Sequence, residues 1–374
     1  MSAVIFTHKQ YQAEQLFPFS LTTAVEAFPG GMMTNRRRWE QIVASELKHC
    51  QGGDWFIPAN LLPSAPLVAR LRAFSPGDFL QFENGAVIGY GVSEAGFSGK
   101  SPLEVLPGSN GDFISYSWDI FEKNARLLHF DFTMLTAGRE PAPLAAGNQA
   151  VNPAQVFIEP GADVRFSIIN AEEGPVYISK NALIMEGSCI RGPVFIGEGA
   201  VVKMGTRIYG GTTIGAFCTV GGEIKNAVLF PFSNKAHDGY LGDSVIGRWC
   251  NLGAGTSNSN LKNTAGNIRI TLPSGNYQAG MKCGVLMGDY SKAAINTSFN
   301  SGTVTGICTN IFGEGLSPKW IPSFSWGYND ATPYRLPEAL THLERWMQTK
   351  KQRLSEEEKE RITLIYNQTK TKKS

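Results

Sequence analysis

The 374-residue chain has no Cys-x-x-Cys pair, only five histidines and no long apolar run. Its six cysteines (Cys50, Cys189, Cys218, Cys250, Cys283 and Cys308) are scattered, which argues against a disulfide framework and for reduced thiols in a cytoplasm. No stretch reaches the length needed to span a bilayer. The first residues, Met1 to Phe6, read as a strand and lack the charged-then-apolar layout of a signal peptide. Lysine plus arginine number 34 against 32 acidic residues, a formal net charge of +2. So balanced a chain has no strong field for nucleic acid or an anionic membrane. Its length exceeds one ordinary core and implies two or three domains. Glycine, by contrast, is abundant at 41 residues, much of it in the second half, which signals a turn-rich repeat.

The repeat is explicit. Ile178, Ile184, Ile190, Ile196, Val202, Ile208, Ile214 and Val220 recur every six residues, and Gly197, Gly215 and Gly221 follow three of them. The pattern returns at Ile246, Leu252, Met287, Ala293, Phe299, Thr305 and Ile311, and a ragged earlier coil is expected near Val156, Ile158 and Val164. A period of six fits neither an amphipathic helix nor a free hairpin. It fits a chain that turns a corner after every short strand, so that three strands make one triangular coil and coils stack as a parallel solenoid. Residues 18 apart then lie about 4.8 Å apart, and Ile178, Ile196 and Ile214 are predicted to form one internal ladder. The competing reading is a β-sandwich with accidental spacing.

The frame breaks twice, between Val220 and Ile246 and between Leu252 and Met287. Both gaps are expected to be loops extruded from the prism, where chemistry usually sits. The first holds Asn234, Lys235, His237, Asp238 and Tyr240; the second holds Asn258, Asn260, Lys262 and Lys282.

The flanks read differently. Residues 1–150 alternate short strands (4–6, 55–57, 79–82, 86–90) with helical stretches (35–47, 66–74), an α/β or α+β pattern, and 147–153 reads as a linker. Residues 151–316 carry the repeat. Residues 317–374 form a helical extension: Leu336, Leu340, Leu343 and Met347 share a helical face, and Ser355 with Glu358 is a capping box before Ile362 and Ile365. These helices are expected to pack on the solenoid or on a neighbouring subunit.

Two features of the repeat suggest chemistry. Arg207 and Lys225 are 18 apart, so an unbroken frame would stack them outward in adjacent coils. Like charges so placed repel unless an anion lies between them, and phosphate is the natural occupant. Two solvated surface cations are the plain alternative. His237 is the only histidine of the repeat region, and histidine is the usual general base for an amine or hydroxyl. A lone histidine cannot supply the three zinc ligands that trimeric β-helix carbonic anhydrases use, so no metal site is expected there.

The segment from His237-Asp-Gly-Tyr240-Leu-Gly-Asp to Asn251-Leu-Gly-Ala254-Gly-Thr and Asn260 resembles the acetyltransferase signature of the bifunctional N-acetylglucosamine-1-phosphate uridyltransferase/glucosamine-1-phosphate acetyltransferase family. The resemblance implies a left-handed parallel β-helix and acetyl-CoA as acyl donor. It implies His237 as general base, Tyr240 and Asn251 as sugar and phosphate contacts, and Ala254 and Asn260 as residues near the thioester. Arg207 and Lys225 fall on the family's phosphate-binding arginine and lysine. The family's proteins resemble one another in being trimers, which implies a homotrimer here. The stretch Gly288-Asp-Tyr-Ser-Lys-Ala-Ala-Ile-Asn-Thr-Ser298 is similar to related dual-function sugar-phosphate enzymes. Leu261 stands where the family has tyrosine, Lys262 could take the place of a later lysine, and Ala293-Ala294 replaces Thr-Gly.

The N-terminal region resembles a divergent branch of sugar nucleotidyltransferases, through Leu16-Phe-Pro-Phe-Ser-Leu-Thr-Thr23 and Arg38-Trp-Glu40. The glycine-rich phosphate loop of ordinary members is missing and the domain is short. Gly30-Gly31 with Arg36-Arg37-Arg38 reads as a turn followed by a solvated helix face. Three functions therefore stand side by side. The first is acetyl transfer from acetyl-CoA to an amino-sugar phosphate resembling glucosamine-1-phosphate. The second is nucleotidyl transfer, alone or in addition, with UTP or dTTP and Mg2+. The third is a solenoid that binds sugar nucleotides without catalysis.

Overall fold

The six-residue period winds into short parallel strands stacked coil upon coil. The computed structural model describes residues 2–9, 11–48, 53–91, 97, 100–107 and 112–371; Cys50 lies outside them. Val176–Ile178 pairs with Val194–Ile196, which pairs with Thr212–Ile214, so Ile178, Ile196 and Ile214 form the expected inward ladder, each at 0% exposure. Leu183–Ile184, Val201–Val202 and Thr219–Val220 make a second face. Cys189–Arg191, Arg207–Ile208 and the start of Glu223–Leu229 make a third. Three short strands per 18-residue coil make a parallel β-solenoid of hexapeptide repeats, the architecture expected of the left-handed parallel β-helix class, preceded in the chain by an α/β unit and followed by helices. One continuous apolar core fills the prism from Val156 to Ile321.

The solenoid is longer than its period suggests. Gln149–Val151, read as linker, is already a strand paired with Ile168–Asn170. At the far end Trp320–Ile321 adds to Val304–Thr305, and Ser325–Trp326 adds to Asn310–Ile311. These rungs lack the aliphatic hexad signature, and backbone pairing to the preceding coil is enough to hold them.

The first break in the period is not an extruded loop. The chain keeps coiling, with fewer residues per turn: Ile208 pairs with Ile224 and Val220 with Lys235, and then Ile224 pairs with Leu241 and Leu229 with Ile246. Gly221-Gly222 makes the tight corner. A Cβ on Gly221 would meet the Ala236 carbonyl oxygen at 2.6 Å, and Gly222 has φ +76°. The second break does extrude a segment. Leu261 and Lys282 pair as an antiparallel bridge at its base, and Arg269–Leu272 with Gly275–Gln278 forms a hairpin beyond it.

One corner of the prism carries Phe217, Phe232, Trp249, Tyr290 and Phe324, all at positive φ. Left-handed backbone costs a non-glycine residue roughly 1–2 kcal/mol. Stacking offsets that cost, with ring centroids 5.1 Å apart for Phe217–Phe232 and 4.4 Å for Phe232–Trp249. This aromatic edge is where the C-terminal helices dock. Helix Leu336–Gln348 and helix Glu356–Thr371 bury Leu343, Met347, Ile362 and Ile365 against Trp249, Tyr290 and Phe324. The capping box forms as expected, Ser355 Oγ accepting from the Glu358 N–H at 3.2 Å.

The chain divides into two compact units. One comprises residues 1–16, 23–29 and 33–116; the other comprises 17–22, 30–32 and 117–374. The helix Asn124–Thr136 thus belongs with the solenoid, where Leu128 packs on Phe157 and Tyr177. The first unit holds a five-stranded mixed sheet in the order Val4–Thr7, Asp54–Pro58, Val87–Gly91, Phe79–Phe82, Glu104–Leu106, with helices Asn35–Ser45 and Ala65–Leu71. Its arginine run is not a fully solvated face. Arg38 is 1% exposed and donates to the Met33 carbonyl, while Arg36 pairs with Glu26 at 2.7 Å. In the other unit, the Gly31 N–H is taken by the Asn124 side chain at 2.6 Å and is not free to cradle a phosphate.

Candidate active site on the shortened coils

The motif residues lie on the coils where the frame contracts. His237 is exposed, at the corner that follows Asn234–Lys235 and precedes Tyr240–Ile246. That corner is held from inside. Lys235 occupies an inward position opposite Val220, is fully buried, and donates to the carbonyls of Gly221, His237 and Asp238. Burial pushes its pKa down to about 8, with the nearby Asp238 opposing the shift. The corner carbonyls that a solenoid turn leaves unpaired are thus satisfied by one side chain.

Arg207 and Lys225 do not stack directly. The shortened coil puts Glu223 opposite Arg207, and their side chains pair at 3.3 Å. Lys225 lies two positions on, opposite Gly242. Both cations are exposed on the same outward face, diagonal neighbours with an acidic residue between them.

Tyr240 continues this face, directly opposite Glu223. Its phenol folds over Gly242, where a Cβ would meet Oη at 2.2 Å. Asn260 Nδ2 donates to Tyr240 Oη at 3.1 Å and to Asp243 Oδ2. Asp243 Oδ1 accepts from Asn226 Nδ2 at 2.7 Å. Burial pushes the Tyr240 pKa up to about 12, and the Asp243 and Glu223 charges add to the shift. Tyr240 therefore remains a neutral phenol at neutral pH. Asp243 and Asn226 were not singled out from sequence, although Asp243 stands inside the recognised Leu-Gly-Asp stretch. Both adopt positive φ, +46° and +49°, at equivalent bends of neighbouring strands. Asn258, inward-facing and buried, clamps Gly242 with bonds to both its N–H and its carbonyl.

Asn251 is elsewhere. Its strand pairs with Asn234–Lys235 and Lys292–Ala293 in a different sheet from Tyr240, so within one chain the two side chains point from different faces. Ala254 sits at the next corner, its carbonyl accepting from the Asn296 N–H at 2.7 Å and its own N–H without a partner among the described residues. No three His, Cys, Asp or Glu side chains come together as a metal-binding group among the described residues. No described helix is long and apolar enough to cross a membrane.

Residues 4–140 match a family model described as sugar nucleotidyl transferase. Over 84 residues the chain is 33% identical to the bifunctional protein GlmU of Methanocaldococcus jannaschii, covering 22% of this chain and 21% of that protein. It is also 33% identical over 84 residues to the bifunctional protein GlmU of Methanococcus maripaludis strain C5, covering 22% and 20%. The matches thus span about a fifth of the length of these curated relatives. Among solved structures, a UDP-N-acetylglucosamine acyltransferase aligns at 12% identity and TM-score 0.21, over 52% of this chain and 71% of that one. The acetyltransferase domain of PglB from Neisseria gonorrhoeae FA1090 in complex with acetyl coenzyme A aligns at 12% identity and TM-score 0.16, over 63% and 80%. Scores this low carry no functional argument. The fold and the family match define a sugar nucleotidyl transferase-like region joined to a hexapeptide β-helix. Residues 4–140 are thus similar to sugar nucleotidyl transferases, and an 84-residue stretch is similar to part of the GlmU relatives.

Proposed function

We propose that this protein is an acetyl-CoA-dependent N-acetyltransferase acting on an amino-sugar phosphate resembling glucosamine-1-phosphate, in nucleotide-sugar biosynthesis. The observation that carries the reading is the arrangement around Tyr240. The motif histidine stands at the corner leading into the Tyr240 strand, the Asn260–Asp243 pair fixes the Tyr240 phenol, and Arg207 and Lys225 share the outward face of Tyr240. In the proposed reaction the acceptor nitrogen attacks the thioester carbonyl, forming a C–N bond as the C–S bond breaks. His237 takes the proton lost by nitrogen and returns it to the leaving thiolate. Tyr240 orients the sugar, and the two cations hold its phosphate. The unpartnered Ala254 N–H suits the amide or carbonyl oxygens of an acyl-CoA donor, close to Asn260 as the resemblance implies.

Within its own chain Asn251 lies half-buried beneath helix Leu336–Gln348, so in this reading it contacts the same sugar only if a homotrimer brings a neighbouring subunit's Tyr240 to the open edge of that cavity. Sedimentation of a stable monomer at micromolar concentration would remove Asn251 from the site. The direct test of the reaction is thiol release from acetyl-CoA in the presence of glucosamine-1-phosphate. No release with any amino-sugar phosphate would overturn the proposal and favour a solenoid that binds without catalysis.

A second reading has its own support. The family match over residues 4–140 favours nucleotidyl transfer by the N-terminal region, with UTP or dTTP and Mg2+ as substrates and cofactor. Formation of a nucleotide sugar and pyrophosphate from the sugar phosphate tests it independently.

A further inference from the structure

The face that carries Asn251 is covered by helix Leu336–Gln348, and a cavity of about 190 Å³ lies between them. Its lining includes Asn251, Lys292, Asn310, His342 and Trp346. Lys292 donates to the carbonyls of Trp249 and Tyr290, and its ammonium lies 5.1 Å from the centroid of the Trp346 ring. It has no carboxylate within 4 Å among the described residues, and burial lowers its affinity for a proton. The Trp346 Nε1–H is buried with no acceptor among the described residues. The side-chain amides of Asn251 and Asn310 make no hydrogen bond with the described residues. His342 uses only Nδ1, on the Tyr334 hydroxyl at 2.7 Å. A half-buried cation with no counter-charge and a buried donor with no acceptor among the described residues are both costly unless something fills the space. Tryptophan and lysine can only donate, and among the described residues no acidic side chain lines the cavity. The complement is an oxyanion, and the volume is below the range of drug-sized pockets.

We infer that this cavity is a binding site for a tetrahedral phosphoryl oxyanion, held by Lys292, Trp346 Nε1, Asn251 and Asn310. It is on a different face from Arg207 and Lys225 and does not depend on the acyltransferase reading. The ligand is inorganic phosphate or the phosphoryl group of a small phosphate monoester.

Isothermal titration of the full-length chain with inorganic phosphate, against chloride at matched ionic strength, tests it. Saturable binding is expected in the wild type. Trp346→Phe keeps an aromatic ring over Lys292 and removes the indole donor; it should weaken binding about 10-fold to 100-fold, the loss of one charge-assisted hydrogen bond. Lys292→Met should abolish it. Lys203→Ala, an exposed cation on the regular coils and outside both sites, should leave it intact, which excludes a general effect of surface charge. Parallel titration with glucosamine-1-phosphate identifies the source. If Trp346→Phe weakens the sugar phosphate as strongly as phosphate, a monoester is accepted; if only phosphate responds, the free anion is the ligand. Absence of phosphate binding in the wild type, or binding unchanged in both Trp346→Phe and Lys292→Met, overturns the inference.

Discussion

Two stretches of the same solenoid behave differently. Between Val176 and Val220 the strands within the stretch pair at a spacing of 18 residues, and the interior is an unbroken aliphatic ladder. From Val220 to Asn260 the spacing contracts, and the interior admits Lys235 and Asn258. The regular coils combine an aliphatic interior with small corner hydroxyls, Ser188 and Thr206 donating to the Met185 and Lys203 carbonyls. The contracted coils leave corner carbonyls and amides that polar side chains must satisfy, and the same corners aim His237, Tyr240 and Asn260 outward. A regular hexapeptide coil has no means of concentrating chemistry at one edge; the contraction supplies it by changing which side chains stand opposite each other.

His237→Ala should separate the two stretches most sharply. On the proposed reaction it should lower kcat by roughly 10²–10⁴-fold with little change in acetyl-CoA affinity or melting temperature. Full activity in the variant would take His237 out of the mechanism. Ile196→Ala, in the regular coils, should do the reverse. It should cost about 2–5 kcal/mol in chemical denaturation and leave the rate per folded molecule unchanged.

Lys235→Met probes the contracted interior through pH. The folded-state pKa of Lys235 is depressed, so between about 8 and the ordinary lysine range the unfolded chain binds more protons than the folded one. The wild type should therefore gain stability over the variant as pH rises through that window, by up to about 3 kcal/mol. Denaturation of both proteins at pH 7 and pH 10 measures it. A difference that does not change with pH would mean that Lys235 is not buried as a cation.

On the outer face the substitutions should matter less. Lys225→Ala should raise the KM for the sugar phosphate by about 10-fold, and Arg207→Ala by less, because Glu223 already engages Arg207. Equal effects would return both to one phosphate cradle. Gly242→Ala should displace the Tyr240 phenol and raise the same KM while leaving the unfolding free energy within about 1 kcal/mol of wild type, since Gly242 is not in the left-handed region.

The internal ladder of Ile178, Ile196 and Ile214 was legible because a six-residue period of β-branched residues has one geometric solution. The C-terminal helix face and the Ser355 capping box were equally local. The relation of Arg207 to Lys225 was not legible. Counting 18 residues assumes an unbroken frame, and Gly221-Gly222 removes residues at a corner whose length depends on how closely the backbone of the next coil approaches. For the same reason the first gap read as a loop, since Lys235 in an inward position contradicts an aliphatic period even though it occupies its place.

By itself the sequence determined the solenoid, its parallel stacking and the helices that close it, because each depends on the spacing of apolar residues along the chain. It also carried the identity of the motif side chains. Only the tertiary structure decided which of them meet: Glu223 with Arg207, Asn260 with Tyr240 and Asp243, and Asn251 on a separate face beneath the C-terminal helix. Register between coils is set by corner geometry and by hydrogen bonds between residues 15 to 18 positions apart, and no periodicity within a single coil encodes it.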